Sequence, residues 1–422
     1  MLDIKFIREN KELVTLGAKK KHIDFNVDEL LALDDKRREL QTLIEARRAE
    51  QNSFSGKVAL QKDSVVREQM IAEMKMTKEE NEGDGEKLKE IIKEWQSLMV
   101  RVPNIPDISV PDGESDAENK EIKTWGEKRE FSFEPKDHVE LSEKLDMVDF
   151  ERGAKVAGFR GYFLKNDAVL LNFAIWRLAT DHFLEKHFTP MMVPILNKRE
   201  VFMGTGYLPQ GEEDLYKTQD GDYLAGTSEV PTMGYYMDEV IAKEKLPIKF
   251  FSFSPCFRRE AGSHGKDTRG VMRVHEFFKF EQVVLCEASH EQSVKWHEEI
   301  NRSTEELIEK LKIPYRTVLN CGGDLGLGQV KKYDIELWVP SEKKYREISS
   351  ASYFHDFQAR RLNIRYKDSD GKMKFVHSLN GTALPTPRIL IAILENYQQE
   401  DGTIKIPDIL LPYMGGKEFI GK

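Results

Sequence analysis

Two periodicities divide the chain. Up to about residue 100, apolar positions recur every three or four residues; beyond about 124, β-branched and aromatic runs alternate with shorter helical stretches. Ile4–Lys19 reads as a short helix followed by a connector. From Val27 to about Gln51 the chain is rich in Leu, Ala, Glu, Arg and Lys, without Gly or Pro. Leu30, Leu33, Leu40 and Ile44 form one stripe, interrupted by Arg37 and Arg47. A second helical run from about Val65 to Met99 passes through Met70, Ile71, Met74, Leu88, Ile91, Trp95 and Leu98. The last four keep the 3-4-3 spacing of a coiled coil. With the polar stretch Asn52–Ser64 between them, the two runs predict an antiparallel coiled-coil hairpin over about 27–100. A helix of about 35 residues spans roughly 50 Å. Gly83 and Gly85 each cost ~1 kcal/mol in a helix interior, so a kink, break or frayed stretch is expected there.

Pro103–Glu114 is rich in Pro and Asp and predicts a linker, taken as 103–123, between an N-terminal domain (1–102) and one large domain (124–422). Helical patterns in the large domain cover His138–Leu145, Val169–His187, Pro231–Lys245, His290–Leu311 and Arg388–Glu400. Strand patterns cover Lys249–Phe257, Met272–Val284, Arg316–Asn320, Ile335–Pro340 and Lys374–Leu379. Without short βαβ crossovers, a phosphate loop or G-x-G-x-x-G, this is an α+β pattern: a mainly antiparallel sheet flanked by helices.

Composition narrows the class. Of 422 residues, 40% are hydrophobic and 32% charged, as in a globular protein with a highly charged portion. No run approaches 18 apolar residues, so no membrane partner is expected. Cys256, Cys286 and Cys321 are widely spaced, which fits a reducing compartment and predicts no structural zinc. The net charge of −9 does not favour nucleic acid. Its distribution does: between Lys36 and Arg67 eight basic residues, including Lys36, Arg37, Arg38, Arg47, Arg48 and Lys57, face four acidic ones. A solvated helix face would give the same count.

The chemistry concentrates around Phe257-Arg258-Arg259-Glu260 and Arg273-Val274-His275-Glu276-Phe277. Two aromatic-rich runs flank the polar loop Ala261-Gly262-Ser263-His264-Gly265-Lys266-Asp267, a hairpin pattern. Its inner face would carry Arg258, Glu260 and Glu281, charges rarely buried without a partner. A guanidinium recognises phosphate or carboxylate through paired hydrogen bonds. Arg388 opens a helical run, where it gains nothing from the helix dipole, so it answers an anion or a neighbouring carboxylate. Glu347-Ile348-Ser349-Ser350 offers oxygen ligands for a hard cation, or a turn. Thr227-Ser228-Glu229 offers acceptors for an ammonium, or a helix N-cap.

Phe-Arg-x-Glu followed by Arg-x-x-x-Phe resembles motif 2 of the class II aminoacyl-tRNA synthetases. The run from Phe257 to His275 is similar to that of the seryl-tRNA synthetases. Pro194 resembles the motif 1 proline at their dimer interface. Asn380–Arg388 resembles motif 3, with Ala383 and Pro387 at positions often glycine. Glu347–Ser350 with Asp356-Phe-Gln-Ala-Arg-Arg361, and Lys332–Pro340, also match the family pattern. Glu276 and Thr382 are departures from Gln and Ser.

The resemblance implies a class II synthetase-like sheet preceded by a tRNA-binding coiled-coil arm. It implies a cytoplasmic homodimer that converts L-serine and ATP to seryl-adenylate, then serylates serine tRNA and, where present, selenocysteine tRNA. It assigns ATP to Arg258, Arg259, Glu260, Val274, His275, Phe277, Glu347, Ile348, Ser349, Ser350 and Arg388. Arg258 and Arg388 act on the phosphates, and Glu347 and Ser350 hold Mg²⁺. Serine falls to Thr227, Ser228, Glu229, Arg258, Glu281, Asn380 and Thr382, and the tRNA to Lys36, Arg37, Arg38, Arg47 and Arg48. His275 is given a structural or stacking role, since adenylate formation needs no protein base. An altered paralogue that loads a carrier protein or only binds RNA is the alternative.

Overall fold

The structure is a computed structural model describing all residues of 1–422 except His264 and Lys266, and all their side chains except those of Lys57 and Ala59. The Lys57 side chain of the basic stretch and the two loop residues therefore lie outside the description. The chain forms two compact units: Leu2–Lys19 with Ile23–Pro103, and Lys20–His22 with Asn104–Lys422 and Met1.

In the first unit the single helix expected over Ile4–Lys19 is two, α1 (Ile4–Glu9) and α2 (Lys11–Lys20), parted at Asn10. The hairpin consists of α3 (Val27–Leu60) and α4 (Ser64–Met99). Asn26 caps α3 by accepting from the Asp28 and Glu29 amides, and Asp63 caps α4 by accepting from those of Val65 and Val66. Leu30, Leu33 and Ile44 are buried, and Leu40, Leu88, Ile91, Trp95 and Leu98 half-buried, so the expected seam exists. Two expectations are corrected. Asn52–Ser64 is not the connector, because α3 continues to Leu60 and the turn is only Gln61–Asp63. The residues there are polar but include no proline, and Ser55 donates back to the Gln51 carbonyl within the helix. Nor does α4 break at Gly83 and Gly85. Asp84 between them is held across the seam by Arg47 at 2.7 Å, and an added Cβ at either glycine would meet nothing within 4 Å.

The second unit is built on eight strands: β1 (Lys120–Trp125), β2 (Thr189–Met192), β3 (Ile248–Phe257), β4 (Glu276–Cys286), β5 (Tyr315–Leu319), β6 (Lys331–Val339), β7 (Lys344–His355) and β8 (His377–Thr386). Their order is β1-β5-β6-β7-β8-β4-β3-β2. Every pair is antiparallel except β2 with β3. Helices α5 (Asp167–Glu185), α7 (His290–Lys310) and α8 (Arg388–Tyr397) cover the sheet, with the main core between. The short α6 (Glu229–Gly234) follows the Thr227–Glu229 motif.

Five element readings change. The helix expected over Pro231–Lys245 stops at Gly234, whose Cβ position lies 2.7 Å from Val201, and Asp238 takes a left-handed backbone at φ 63°. The strand expected from Met272 begins at Glu276. Glu347–Ser350 lies within a 12-residue strand rather than at the end of a β-rich run, and the strand expected to end at Leu379 continues as β8 to Thr386. Part of the stretch expected as a linker belongs to β1. Asn104 is buried there, and its side-chain amide donates to the carbonyls of Gly328 and Phe354.

Candidate active site

Strands β4, β7 and β8 lie side by side in the sheet, and their exposed face floors a cavity of about 420 Å³. Alternation along β4 puts Phe277, Lys279 and Glu281 on that face. Arg258 follows β3, and its amide donates to the His275 carbonyl, which closes the hairpin. Its Nε donates to the Gly226 carbonyl at 3.1 Å, and its guanidinium lies 5.2 Å from the Phe277 ring centroid. Glu260, in a left-handed backbone conformation, accepts from Arg273 at 2.6 Å. Arg388 begins α8, and its Nε and Nη1 donate to the carbonyls of Met272 and Glu347 at 3.2 and 3.0 Å. Both arginines are thus anchored by neutral oxygens, and the Glu347 carboxylate stays 4.0 Å from Arg388.

Glu347 and Ser350 meet at 3.5 Å. The Ser350 hydroxyl donates to Asp334 at 2.5 Å, which leaves its lone pairs for another ligand. Burial, with the nearby Glu347 charge, pushes Asp334 up to about 6 despite Lys332. Glu347 goes the other way. Burial works against its charge, but Arg388, Lys332 and Arg258 hold it below the ordinary carboxylate range.

A second group is built from buried acids. Glu281 is 2% exposed, ion-paired with Lys279, and accepts from Thr227 and Thr382, both at 3.3 Å. Glu229 accepts from Tyr207 at 2.8 Å and Gln358 at 2.7 Å. Burial, then the Glu281 charge, raises Glu229 to about 7. Asn380, opposite Ser352 across β7 and β8, has a buried Nδ2 without a hydrogen-bond partner among the described residues.

The cavity therefore gathers Thr227, Glu229, Arg258, Glu260, Val274, Phe277, Glu281, Glu347, Ile348, Ser350, Asn380, Thr382 and Arg388. Four expected site residues do not line it. Arg259 is exposed: in extended chain it faces opposite to Arg258. The His275 ring contacts the Arg258 carbonyl at 3.0 Å, which braces the hairpin. Ser228 is fully buried and donates to the Ser252 carbonyl at 3.0 Å, and Ser349 donates to that of Thr382 at 2.5 Å. Sequence reasoning missed Lys279, Tyr207 and Gln358. Lys279 had a usable signal, its period-two spacing from Phe277 and Glu281. The other two come from distant loop and helix positions.

On the hairpin, Lys36, Arg38 and Arg48 are exposed, whereas Arg37 and Arg47 turn into the seam. Arg37 pairs with Asp34 at 2.8 Å and lies over Trp95, and Arg47 pairs with Asp84 and Glu80.

Comparison with known proteins identifies the family. Residues 216–397 match the tRNA synthetase class II core domain (G, H, P, S and T), and residues 1–106 the seryl-tRNA synthetase N-terminal domain. Serine–tRNA ligases of Deinococcus radiodurans and Thermodesulfovibrio yellowstonii are 43% and 44% identical, covering 100% and 98% of this chain and 99% of each relative. A seryl-tRNA synthetase structure from Pyrococcus horikoshii, complexed with ATP, superposes with a TM-score of 0.92 at 40% identity, covering 100% of this chain and 99% of that one. A cytoplasmic serine–tRNA ligase from Naegleria fowleri in complex with AMP gives 0.88 at 32%, covering 100% and 98%. With relatives this similar along its whole length, the chain belongs to the seryl-tRNA synthetase family.

Proposed function

We propose that this chain activates L-serine with ATP and then transfers the seryl group from the adenylate to the 3′-terminal ribose hydroxyl of serine tRNA, releasing AMP. The observation that carries the reading is one cavity holding two charged groups of opposite purpose: carbonyl-anchored arginines, and buried acids flanked by hydroxyls. In the first step the serine carboxylate oxygen attacks the α-phosphorus of ATP, and the bond to the β-phosphate oxygen breaks. Seryl-adenylate and pyrophosphate result. Arg258 meets the charge developing on the α-phosphate, and Arg388 holds the outer phosphates. Phe277 and Val274 border the base. Glu347 and Ser350 fit Mg²⁺: one stays anionic and the other keeps free lone pairs. The ion would neutralise phosphate charge. Glu229 and Thr227 take the serine ammonium, and Glu281 and Thr382 its hydroxyl. A site that hydrogen-bonds a substrate hydroxyl disfavours alanine by ~10⁴ or more, because its polar groups would be left unpaired.

The exposed Lys36, Arg38 and Arg48 supply phosphate contacts to a long RNA stem, read by shape more than by base. Selenocysteine tRNA would bind the same way. A homodimer is supported by exposed Leu170 and Phe173 on α5 and by exposed Met192 on the edge strand β2. Three buried, unpaired thiols suit the cytoplasm. No helix among the described residues is long and apolar enough to cross a membrane.

The test is ATP–pyrophosphate exchange with each of the twenty amino acids, followed by tRNA charging. Serine alone should support exchange. Silence with all twenty from a folded sample would favour an RNA-binding paralogue, and exchange without tRNA charging would favour a carrier ligase.

A further inference from the structure

One wall of the cavity, Gly326–Gln329, is held from outside the sheet, together with Val330 that follows it. Lys21 is 3% exposed and makes no ion pair among the described residues. Lysine is rarely buried in that way. Its ammonium instead donates to three main-chain carbonyls, those of Gly326 at 3.0 Å, Leu327 at 2.9 Å and Gln329 at 2.6 Å. The Asn104 amide also donates to Leu327, its side chain donates to Gly328, and the Asp107 amide donates to Val330. Five successive carbonyls are thus fixed by Lys21 and the stretch 104–107.

The wall in turn sets a side chain. Gln329 accepts from the Gly326 amide at 2.6 Å and donates to the Ser352 hydroxyl at 2.8 Å. Ser352 lines the cavity opposite Asn380, beside Thr382 on the same strand. A backbone loop with no side-chain brace would place Gln329 with the freedom of any short turn. A buried ammonium with three fixed acceptors removes that freedom before substrate arrives.

We propose that Lys21 is a positioning residue for the amino-acid end of the cavity, acting through Gln329 and Ser352. Lys21 lies inside the stretch that matches the N-terminal domain, yet it is packed with the catalytic unit. The working boundary of the activating machinery therefore includes residues 20–22 as well as everything after Asn104. An RNA-binding domain removed as residues 1–102 would take an active-site brace with it.

The inference rests on the serine-activating reading. It is tested in the full-length protein by steady-state ATP–pyrophosphate exchange, with wild type, Lys21→Met and Gln329→Leu compared at varied serine and varied ATP. Lys21→Met keeps the buried stem and deletes the donors. Gln329→Leu cuts the link to Ser352 and leaves the buried cation alone. Both should raise the KM for serine roughly tenfold or more, while the KM for ATP and kcat stay within about threefold. A purely structural role would lower the active fraction, and so kcat, without moving either KM. If Lys21→Met does not fold, Gln329→Leu decides. An unchanged serine KM in Gln329→Leu, or equal rises for serine and ATP, overturns the proposal. Absence of serine-dependent exchange in wild type would instead refute the functional reading beneath it.

Discussion

The cavity and the helical hairpin both depend on arginine, in opposite settings. In the cavity, Arg258 and Arg388 are anchored by main-chain carbonyls, and their charge is left for an incoming anion. In the hairpin, Arg37 and Arg47 are matched to Asp34 and Asp84 at 2.8 and 2.7 Å and serve the seam. Cationic chemistry on a substrate requires a guanidinium fixed by neutral acceptors, because a tight carboxylate would already have cancelled its field. Structural charge requires the reverse. The hairpin's exposed Lys36, Arg38 and Arg48 are a third case, cations with no ion pair among the described residues, and these are the ones proposed to meet an RNA backbone.

The comparison can be broken most sharply at Arg258. Arg258→Ala should lower serine-dependent exchange by ~10²–10³-fold while the thermal midpoint moves little. A large stability loss with modest rate loss would make it a structural arginine like Arg47. The next largest effect is on pH. Glu229 holds its proton up to about pH 7 because it is buried beside Glu281. Below that pH it loses the charge proposed to attract the serine ammonium, so kcat/KM for serine should fall roughly tenfold per pH unit below 7, then level off above it. Glu229→Gln should be weak at every pH and flat across this range; a slope persisting in it would assign the titration elsewhere. Third, reversing Lys36, Arg38 and Arg48 together to Glu should cut kcat/KM for tRNA roughly tenfold or more, with weaker salt dependence and unchanged exchange. Equal loss from Arg37→Gln would erase the distinction between seam and surface. The smallest effect is at Gly83 and Gly85. Each change to Ala should stabilise the hairpin by up to ~1 kcal/mol, read as its melting by circular dichroism, with exchange untouched.

How far the sequence could be read follows the same contrast. The hairpin seam was legible because Leu30, Leu33, Leu88, Ile91 and Trp95 obey one local period. The glycines misled because the bond from Arg47 to Asp84 that spans them joins residues 37 apart in sequence. In the sheet, the motif around Arg258 identified the site, and strand alternation accounted for Glu281. Neither separated Arg258 from Arg259, or Ser350 from Ser349, since adjacent residues share a motif and face opposite ways. Tyr207 and Lys21 were out of reach, because neither lies in a patterned stretch. Gln358 sits in the quoted run Asp356–Arg361, but its bond to Glu229 joins residues 129 apart, which no local pattern gives.

The most direct test of the central claim compares two reactions in one variant. Removing residues 36–95 and closing α3 onto α4 with a short turn would take Lys36, Arg38 and Arg48 away with the arm and retain the base of the hairpin and Lys21. Serine-dependent ATP–pyrophosphate exchange and tRNA charging should then be measured against the full-length protein. Exchange should stay within about twofold of full length, and charging should fall by ~10² or more. Parallel loss of both reactions, or full charging without the arm, would contradict that claim.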